Sequence, residues 1–138
     1  MQNIRSGGSL PLPAFIALML IAGALGAFSL FVGYNKALAP LEVLREHSAW
    51  TVHLPVVLGR VIGWAEIAAA AVLILGLFAG RLARLGSWAA VWITLNHAAA
   101  AVVHVVHREW HTLTQSAVVI MLCLVMVWLY RQRAGASR

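Results

Sequence analysis

Long apolar runs, separated by short polar segments, dominate the pattern of this chain. Because a bilayer core of about 30 Å takes about 20 apolar residues in a helix, four of these runs are long enough to cross it. They cover residues 14–32, 55–80, 85–106 and 113–130. The pattern therefore predicts an all-α fold, an integral membrane bundle of four helices.

The connections between the runs predict how the helices follow one another. Two connections are short, which favours antiparallel neighbours and an up-down-up-down bundle. The first connection is longer, and its Pro40 suits the first position of a helix. Leu41 and Leu44 share one face there, opposite charged residues such as Glu42. We therefore expect a short amphipathic helix over about residues 40–50, lying on the outer membrane surface or folded back over the bundle.

Composition agrees with a chain surrounded by the lipid bilayer. Hydrophobic residues make up 62% of the 138, and charged residues only 10%, too few to cover a soluble domain of this length. The net charge of +6 comes from basic residues at the ends of the apolar runs, so it reflects topology. No basic stripe of the kind that nucleic-acid binding needs is present. The one cysteine, Cys123, excludes an internal disulfide and any paired-cysteine redox motif.

The basic residues also predict the orientation of the bundle. With both termini on one side, that side holds Arg5, Arg81, Arg84, Arg131, Arg133 and Arg138, and the other side holds Lys36, Arg45 and Arg108. Cytoplasmic connections carry the excess of Lys and Arg, so we expect both termini in the cytoplasm. Interfacial aromatic residues are assigned to match, with Trp88, Trp128 and Tyr130 at the inner boundary and Tyr34, Trp50 and Trp110 at the outer one.

Ionisable side chains inside the predicted spans are the candidates for function, because such groups are costly in a membrane and usually face the bundle interior. They are Arg60, Glu66, His97 and His104. At a rise of ~1.5 Å per residue, Glu66 lies about 16 Å and His97 about 18 Å from the starts of their spans, which enter from opposite sides. The two are therefore expected at similar depth. With Asn96, these residues define a candidate polar cavity that opens to the outer side.

Two interpretations of this group stay open. A histidine beside a carboxylate exchanges protons near neutral pH, as quinone chemistry requires, so a quinone or another small amphiphile is the candidate ligand. The structural alternative is an internal hydrogen-bonded pair of Glu66 and His97 that fixes helix register. Arg60 is expected to snorkel to the outer boundary. Gly59 and Gly63 share a stripe with Glu66 at small-residue spacing, which predicts a close helix–helix contact.

Metal and haem binding are disfavoured. If the third helix continued, His104, His107 and His111 would share one face, as metal ligands could. No Asp is available, however, and Glu109 is expected to point off that face. A bis-histidine haem needs axial ligands on opposite sides, and the other three spans contain no histidine, so a single subunit could not hold it in the membrane.

Three short motifs follow one another along the chain, and their order and spacing are informative. Residues 33–40 read G-Y-N-K-A-L-A-P, residues 58–67 read L-G-R-V-I-G-W-A-E-I, and residues 100–104 read A-A-V-V-H. They resemble the G-x-x-K-L…P, G-x-x-E-L and A-x-x-x-H patterns of the DoxX-like family of small four-helix membrane proteins, and the resemblance covers most of the chain. It carries over Lys36, Glu66 and His104 as signature positions.

The resemblance implies a multi-pass protein of the bacterial inner membrane. Such relatives include a subunit associated with thiosulfate:quinone oxidoreduction, and others are implicated in redox-stress complexes or in membrane-protein assembly. We therefore expect a small membrane subunit that works with a quinone-linked redox partner. The alternative is an accessory or assembly subunit without chemistry, bound to a larger membrane complex. The isolated chain is not expected to be an enzyme, and any catalysis would belong to a quinone-linked oxidoreductase.

Overall fold

The computed structural model describes residues 10–136, and these residues form helices and short connections without a β-strand. The α-helices are α1 (Leu12–Leu38), α2 (Leu41–Glu46), α3 (Val56–Leu75), α4 (Ala83–Val106) and α5 (Leu113–Ala136). Short 3-10 turns occupy Trp50–His53, Gly80–Leu82 and Trp110–Thr112. Arg5 and Arg138, which entered the predicted orientation, lie outside the described residues.

Four helical segments are long and apolar enough to cross a membrane, which confirms the predicted number of spans. They are Leu12–Leu38, Val56–Leu75, Gly80–Val106 and Trp110–Gly135. Among these four, α1 packs chiefly against α3 and α4 against α5, while contacts of α3 with α4 and of α1 with α5 complete the bundle. The up-down-up-down order of the helices stays a prediction from the short connections.

The surface and the interior of the bundle are both apolar. Leu18, Leu73 and Met126 are fully buried between the helices. Large apolar side chains also point outward, and Leu20 is 70% and Val57 76% exposed. Lipid is the solvent that accommodates such a surface, because exposed apolar side chains of this extent are unfavourable in water.

Helix α1 continues past residue 32, where the sequence pattern placed the end of the first span, as far as Leu38. It ends there because Pro40 disfavours helical dihedral angles at the residue before it. Ala39 is accordingly extended, with φ −67° and ψ 150°. The extra turn carries Lys36 into the helix bundle.

Helix α2 lies within the predicted stretch of residues 40–50 and is amphipathic, with Leu44 buried and Arg45 exposed. After its last residue, Glu46, and the cap His47, the chain reaches a left-handed residue, Ser48 (φ 50°). The N–H of Ala49 then donates to the carbonyl of Leu44 at 2.9 Å. This closure is a Schellman motif. It returns the chain toward the bundle and buries Trp50. We call this side of the molecule, with α2 and the turns Trp50–His53 and Trp110–Thr112, the α2 end.

Helices α1 and α3 touch through their backbones. A Cβ atom added to Gly63 would lie 2.5 Å from the backbone nitrogen of Ala37, and one added to Gly33 would lie 2.8 Å from the carbonyl oxygen of Gly63. The close contact predicted from the glycine stripe is confirmed at Gly63. Gly59 instead faces Thr51, whose Cβ would lie 3.3 Å from a Cβ atom added to the glycine.

Two of the aromatic residues assigned to the membrane boundaries are buried within the bundle. At the end opposite α2, the Tyr130 ring packs on Gly76 and Gly86, and its hydroxyl donates to the carbonyl of Leu73. Trp50 lies under α2 and is 7% exposed. A Cβ atom at Gly76 or Gly86 would lie 3.0 Å or 2.8 Å from the ring, so these two glycines leave the space in which Tyr130 is buried. Trp88, Trp128, Tyr34 and Trp110 are each more than half exposed.

Candidate functional site

A buried ion pair lies at the centre of the candidate site. Nζ of Lys36 donates to Oε1 of Glu66 at 2.7 Å, and both side chains are at most 4% exposed. Nδ2 of Asn96 donates to the same oxygen at 2.5 Å. One carboxylate therefore joins α1, α3 and α4.

The glycine contact explains why this pair can form. Lys36 follows Gly33 by three residues, and Glu66 follows Gly63 by three. Residues three apart lie on the same face of a helix. Each glycine faces the charged residue of the other helix: a Cβ atom added to Gly33 would lie 2.9 Å from Cβ of Glu66, and one added to Gly63 would lie 2.8 Å from the carbonyl carbon of Lys36. The glycines therefore bring α1 and α3 close enough for the two charged side chains to meet between the helices.

Aromatic and cationic groups from the α2 end surround Lys36. Its Nζ lies 5.5 Å from the centroid of the Trp50 ring, within cation–π range. Arg60 donates to the carbonyl oxygen of Lys36 at 2.8 Å. Arg60, expected to snorkel to the outer boundary, reaches the last turn of α1, where the carbonyls have no partner within the helix, and its guanidinium satisfies one of them.

Glu66 and His97 are both buried, but they do not form the hydrogen-bonded pair that the sequence suggested. Oε1 of Glu66 is bonded to Lys36 and Asn96, and Oε2 has no partner. Nδ1 of His97 is also buried without a partner. The His97 ring instead packs near Phe28, with 6.1 Å between ring centroids. The lysine takes the place that the sequence interpretation gave to the histidine.

A cavity of about 240 Å³ lies above the ion pair at the α2 end. Its polar lining includes Lys36, His97 and His104. Further lining comes from Phe28, Phe31, Leu44, Trp50, Gln115 and Ser116. Of the other predicted site residues, Glu66 binds Lys36 and Asn96 binds Glu66, while Arg60 lies outside the lining. Three of the predicted residues thus reach one cavity, and two more support it.

A second cluster of polar side chains joins the Trp50–His53 turn to the end of α4. Oε2 of Glu109 accepts a hydrogen bond from Nδ1 of His104 at 2.6 Å, and Oε1 of Glu109 lies 3.3 Å from Nε2 of His53. The ring of His53 stacks on that of His107, with centroids 3.6 Å apart. We call His53, His104, His107 and Glu109 the histidine clasp. It holds the Trp50–His53 turn over the cavity.

The clasp corrects two expectations about these histidines. Helix α4 ends at Val106, and Arg108 is left-handed with φ 60°. The N–H of Glu109 then donates to the carbonyl of His104 at 2.8 Å, so Glu109 turns back to His104 rather than off the histidine face. His111 consequently does not continue that face. Across residues 10–136, no three His, Cys, Asp or Glu side chains are arranged to hold a metal ion.

The carboxyl group of Glu109 is tuned by the clasp. Partial burial on its own would raise the pKa of Glu109, but hydrogen bonds with His104 and His53 and the charge of those rings outweigh burial and lower it. The carboxylate form is therefore the one that the folded clasp favours.

Comparison with known protein families now adds to this geometry. A model of the DoxX-like family matches residues 20–127, most of the chain. The chain belongs to the DoxX-like family. No curated protein and no solved structure gave a match. The matched region of this DoxX-like chain contains the ion pair, the histidine clasp and every polar residue of the cavity named above.

The functional residue that sequence reasoning placed wrongly in this DoxX-like protein is Lys36. It was counted with the basic residues of the outer connection, although the resemblance marked it as a signature position. The available signal was Pro40, which permits the helix to run as far as residue 38. An ionisable group in that last turn, one turn after Gly33, belongs among the intramembrane candidates.

Proposed function

We propose that this DoxX-like protein is a membrane subunit that binds the head group of a quinone, or of a chemically similar amphiphile, and serves a quinone-linked redox partner. The observation that carries the proposal is His97, whose buried Nδ1 has no partner and which lines the same cavity as Lys36. A buried polar atom without a hydrogen-bond partner destabilises the fold. A carbonyl or hydroxyl group of a ligand would supply Nδ1 of His97 with the missing hydrogen bond.

The shape and chemistry of the cavity support a ring-sized guest. Its volume of about 240 Å³ is small for a drug-sized ligand. Such sites run to roughly 300–1,000 Å³, so the cavity suits a head group whose tail extends into lipid. Phe28 and Phe31 offer apolar walls for a flat ring, and Lys36 offers a cationic donor for a carbonyl oxygen. His104, bonded to Glu109, adds an imidazole that can hydrogen-bond a ligand.

A partner subunit is part of the proposal because quinone chemistry needs an electron carrier. Cys123 is the single cysteine of the sequence and is fully buried, so the chain has no dithiol for that role. We assign electron transfer to the partner, and quinone binding and proton exchange to this subunit.

The accessory-subunit alternative would need a different surface from the one first considered for it. It relied on small-residue faces for docking to a larger complex, but Gly63 is already covered by α1 and Gly59 by the Trp50–His53 turn. Purification in mild detergent separates the two functions by what accompanies the chain. A redox subunit supports the proposal, and an assembly factor or nascent membrane protein favours the alternative.

The direct test measures binding of a short-tailed quinone to the purified chain in lipid nanodiscs. Trp50 lines the cavity, so bound quinone should quench its fluorescence, and Trp50→Phe should remove that part of the signal. His97→Leu should weaken binding about tenfold, because one hydrogen bond of ~1.4 kcal/mol is lost. The matched control is His111→Leu, an exposed histidine outside the cavity.

Two results would defeat the proposal. One is equal quenching in wild type, His97→Leu and empty-nanodisc mixtures, which would mean partitioning without a site. The other is a partner complex in native membranes whose quinone-linked activity is unchanged by both His97→Ala and Glu66→Gln.

We also propose that the protein lies in the bacterial inner membrane with both termini in the cytoplasm. At the end opposite α2, the described residues include Arg81, Arg84, Arg131 and Arg133. On the other side Lys36 is neutralised by Glu66 inside the bundle, so it no longer counts against this orientation. The remaining excess of arginines favours the cytoplasm for the arginine-rich end.

A further inference from the structure

A cleft of about 350 Å³ lies between α4 and α5 at the end opposite α2, far from the quinone cavity in the fold. Its lining consists of Arg84, Ser87, Trp88, Arg131, Ala134 and Gly135. We call it the arginine cleft. We propose that the arginine cleft binds the phosphate of an anionic phospholipid.

Within residues 10–136, the two arginines of the cleft have no counter-ion. Neither guanidinium makes a hydrogen bond or an ion pair with any residue of the described range 10–136. The acids of the chain are elsewhere: Glu42 and Glu46 lie on α2, Glu66 is paired with Lys36, and Glu109 belongs to the histidine clasp. Two exposed cations therefore face one cleft that contains no acidic side chain of residues 10–136.

A neighbouring arginine shows what the cleft arginines do not do. Arg133 donates to the carbonyl of Gly76 at 3.2 Å, and its guanidinium lies 5.0 Å from the centroid of the Phe15 ring. It therefore has a structural role between α3, α5 and α1. Arg84 and Arg131, on two different helices, have no such contacts and converge on the same cleft.

The chemistry of the lining fits a phosphate. The planar guanidinium presents paired donors that match phosphate oxygens, and two of them from adjacent helices can hold one group from two sides. The hydroxyl of Ser87 supplies a neutral donor at the cleft wall. Trp88, 65% exposed, suits the head-group level of a bilayer, where amphipathic rings collect.

The surface beside the cleft points to a lipid rather than to free phosphate. Met121, Leu124, Trp128 and Arg131 follow one another on α5 at intervals of three and four residues. They form one stripe of the helix, and its three apolar members are 67%, 55% and 59% exposed. An acyl chain lying on this stripe would bring its head group to Arg131. Basic pockets between transmembrane helices are a known setting for anionic head groups.

The test compares lipids retained by the purified full chain from an equimolar mixture of phosphatidylglycerol and phosphatidylcholine, read by native mass spectrometry. Wild type should retain phosphatidylglycerol in clear preference. Arg84→Gln with Arg131→Gln should lower that preference about tenfold, because two charge-assisted contacts are lost. The control, Arg81→Gln with Arg45→Gln, loses the same charge outside the cleft and should keep the preference.

Three results would overturn the assignment. In the first, the cleft variant keeps the wild-type preference for phosphatidylglycerol. In the second, both double variants lose the preference equally, which would make the effect one of net charge. In the third, excess inorganic phosphate displaces the bound lipid and binds the lipid-free protein equally well, so that a soluble anion is the ligand. Thermal unfolding of each variant, measured alongside, excludes misfolding as the cause.

A second readout does not depend on mass spectrometry. Phosphatidylglycerol with brominated acyl chains should quench Trp88 more strongly than brominated phosphatidylcholine does at equal content. Trp88→Phe identifies the share of the signal from this ring. Equal quenching by the two lipids would show contact with lipid without selection of the phosphate group, and would contradict the proposal.

Discussion

Lys36 and Glu66 depend on each other for their burial between α1 and α3. Taking one charge out of water costs several kcal/mol even after the protein relaxes. The 2.7 Å contact and the hydrogen bond from Asn96 offset that cost for Oε1, whereas Oε2 of Glu66 remains without a partner. The pair is therefore finely balanced, and its stability depends on both members being present.

Removing either partner should destabilise the protein more than removing both charges. Lys36→Met or Glu66→Gln alone is expected to cost about 3–5 kcal/mol, because one buried charge loses its counter-ion. The combined variant should recover most of that loss, with the glutamine oxygen still accepting from Asn96. Thermal unfolding in detergent, analysed as a double-mutant cycle, measures the coupling. Costs that simply add would mean that the ion pair does not hold α1 to α3.

Glu109 provides a second residue-scale prediction, because its contribution depends on pH. Folding lowers the pKa of Glu109 below its ordinary 4.5, so the stabilisation is complete above that pH and is lost as pH falls through the folded value. Glu109→Gln should cost about 1 kcal/mol at about pH 6, a modest value for a partly exposed cluster. Unfolding measured from about pH 6 down to about pH 3 should show the difference from wild type vanish.

The control for that series is Glu46→Gln, an exposed glutamate of α2 without an ion pair. It should match wild type across the same range. A cost of Glu109→Gln that stays constant to the lowest pH would assign it to side-chain packing, and the ionised clasp would have to be given up.

Helices, as elements, were largely predictable, while their ends were not. The number of spans follows from local apolar content, which can be read from a short window of the sequence without knowing the tertiary contacts. The end of α1 was misplaced because burial of Lys36 depends on Glu66, 30 positions away in the chain. The return of Glu109 depends on a left-handed Arg108, a conformation that non-glycine residues rarely adopt and that no neighbouring residue signals.

The contact between α1 and α3 gives the element-scale prediction. Gly63→Ala should destabilise the protein by about 1–3 kcal/mol, the usual cost of overpacking, since the added Cβ would meet the α1 backbone at 2.5 Å. Gly23→Ala is the matched control, because nothing lies within 4 Å of its Cβ position. Alanine is the better helix former by about 1 kcal/mol, so this variant should be neutral or slightly more stable.

Thermal unfolding of both variants tests the comparison. If Gly63→Ala also weakens the coupling of Lys36 with Glu66 in the double-mutant cycle, the glycine contact sets the position of the ion pair. Equal unfolding temperatures for the two variants would show that α1 and α3 can separate freely at Gly63.

The two ends of the described bundle differ, because the α2 end holds the cavity and the histidine clasp and the opposite end holds the arginine cleft. The two proposed ligands fit that arrangement: a quinone head group enters from one face, and an anionic lipid binds at the other. Anionic lipids on the cytoplasmic leaflet attract basic segments, so the arginine cleft and the predicted orientation favour the same side.

Orientation can be measured with cysteines introduced at the two ends in a Cys123→Ala background. Glu46→Cys lies on exposed α2 and Gln132→Cys on the exposed face of α5, and neither changes an arginine. With both termini in the cytoplasm, a membrane-impermeant maleimide should label Glu46→Cys in intact spheroplasts and Gln132→Cys only after lysis. The reverse pattern would invert the bundle. It would place the quinone cavity on the cytoplasmic side and the arginine cleft in the opposite leaflet, where the positive-inside argument gives it no support.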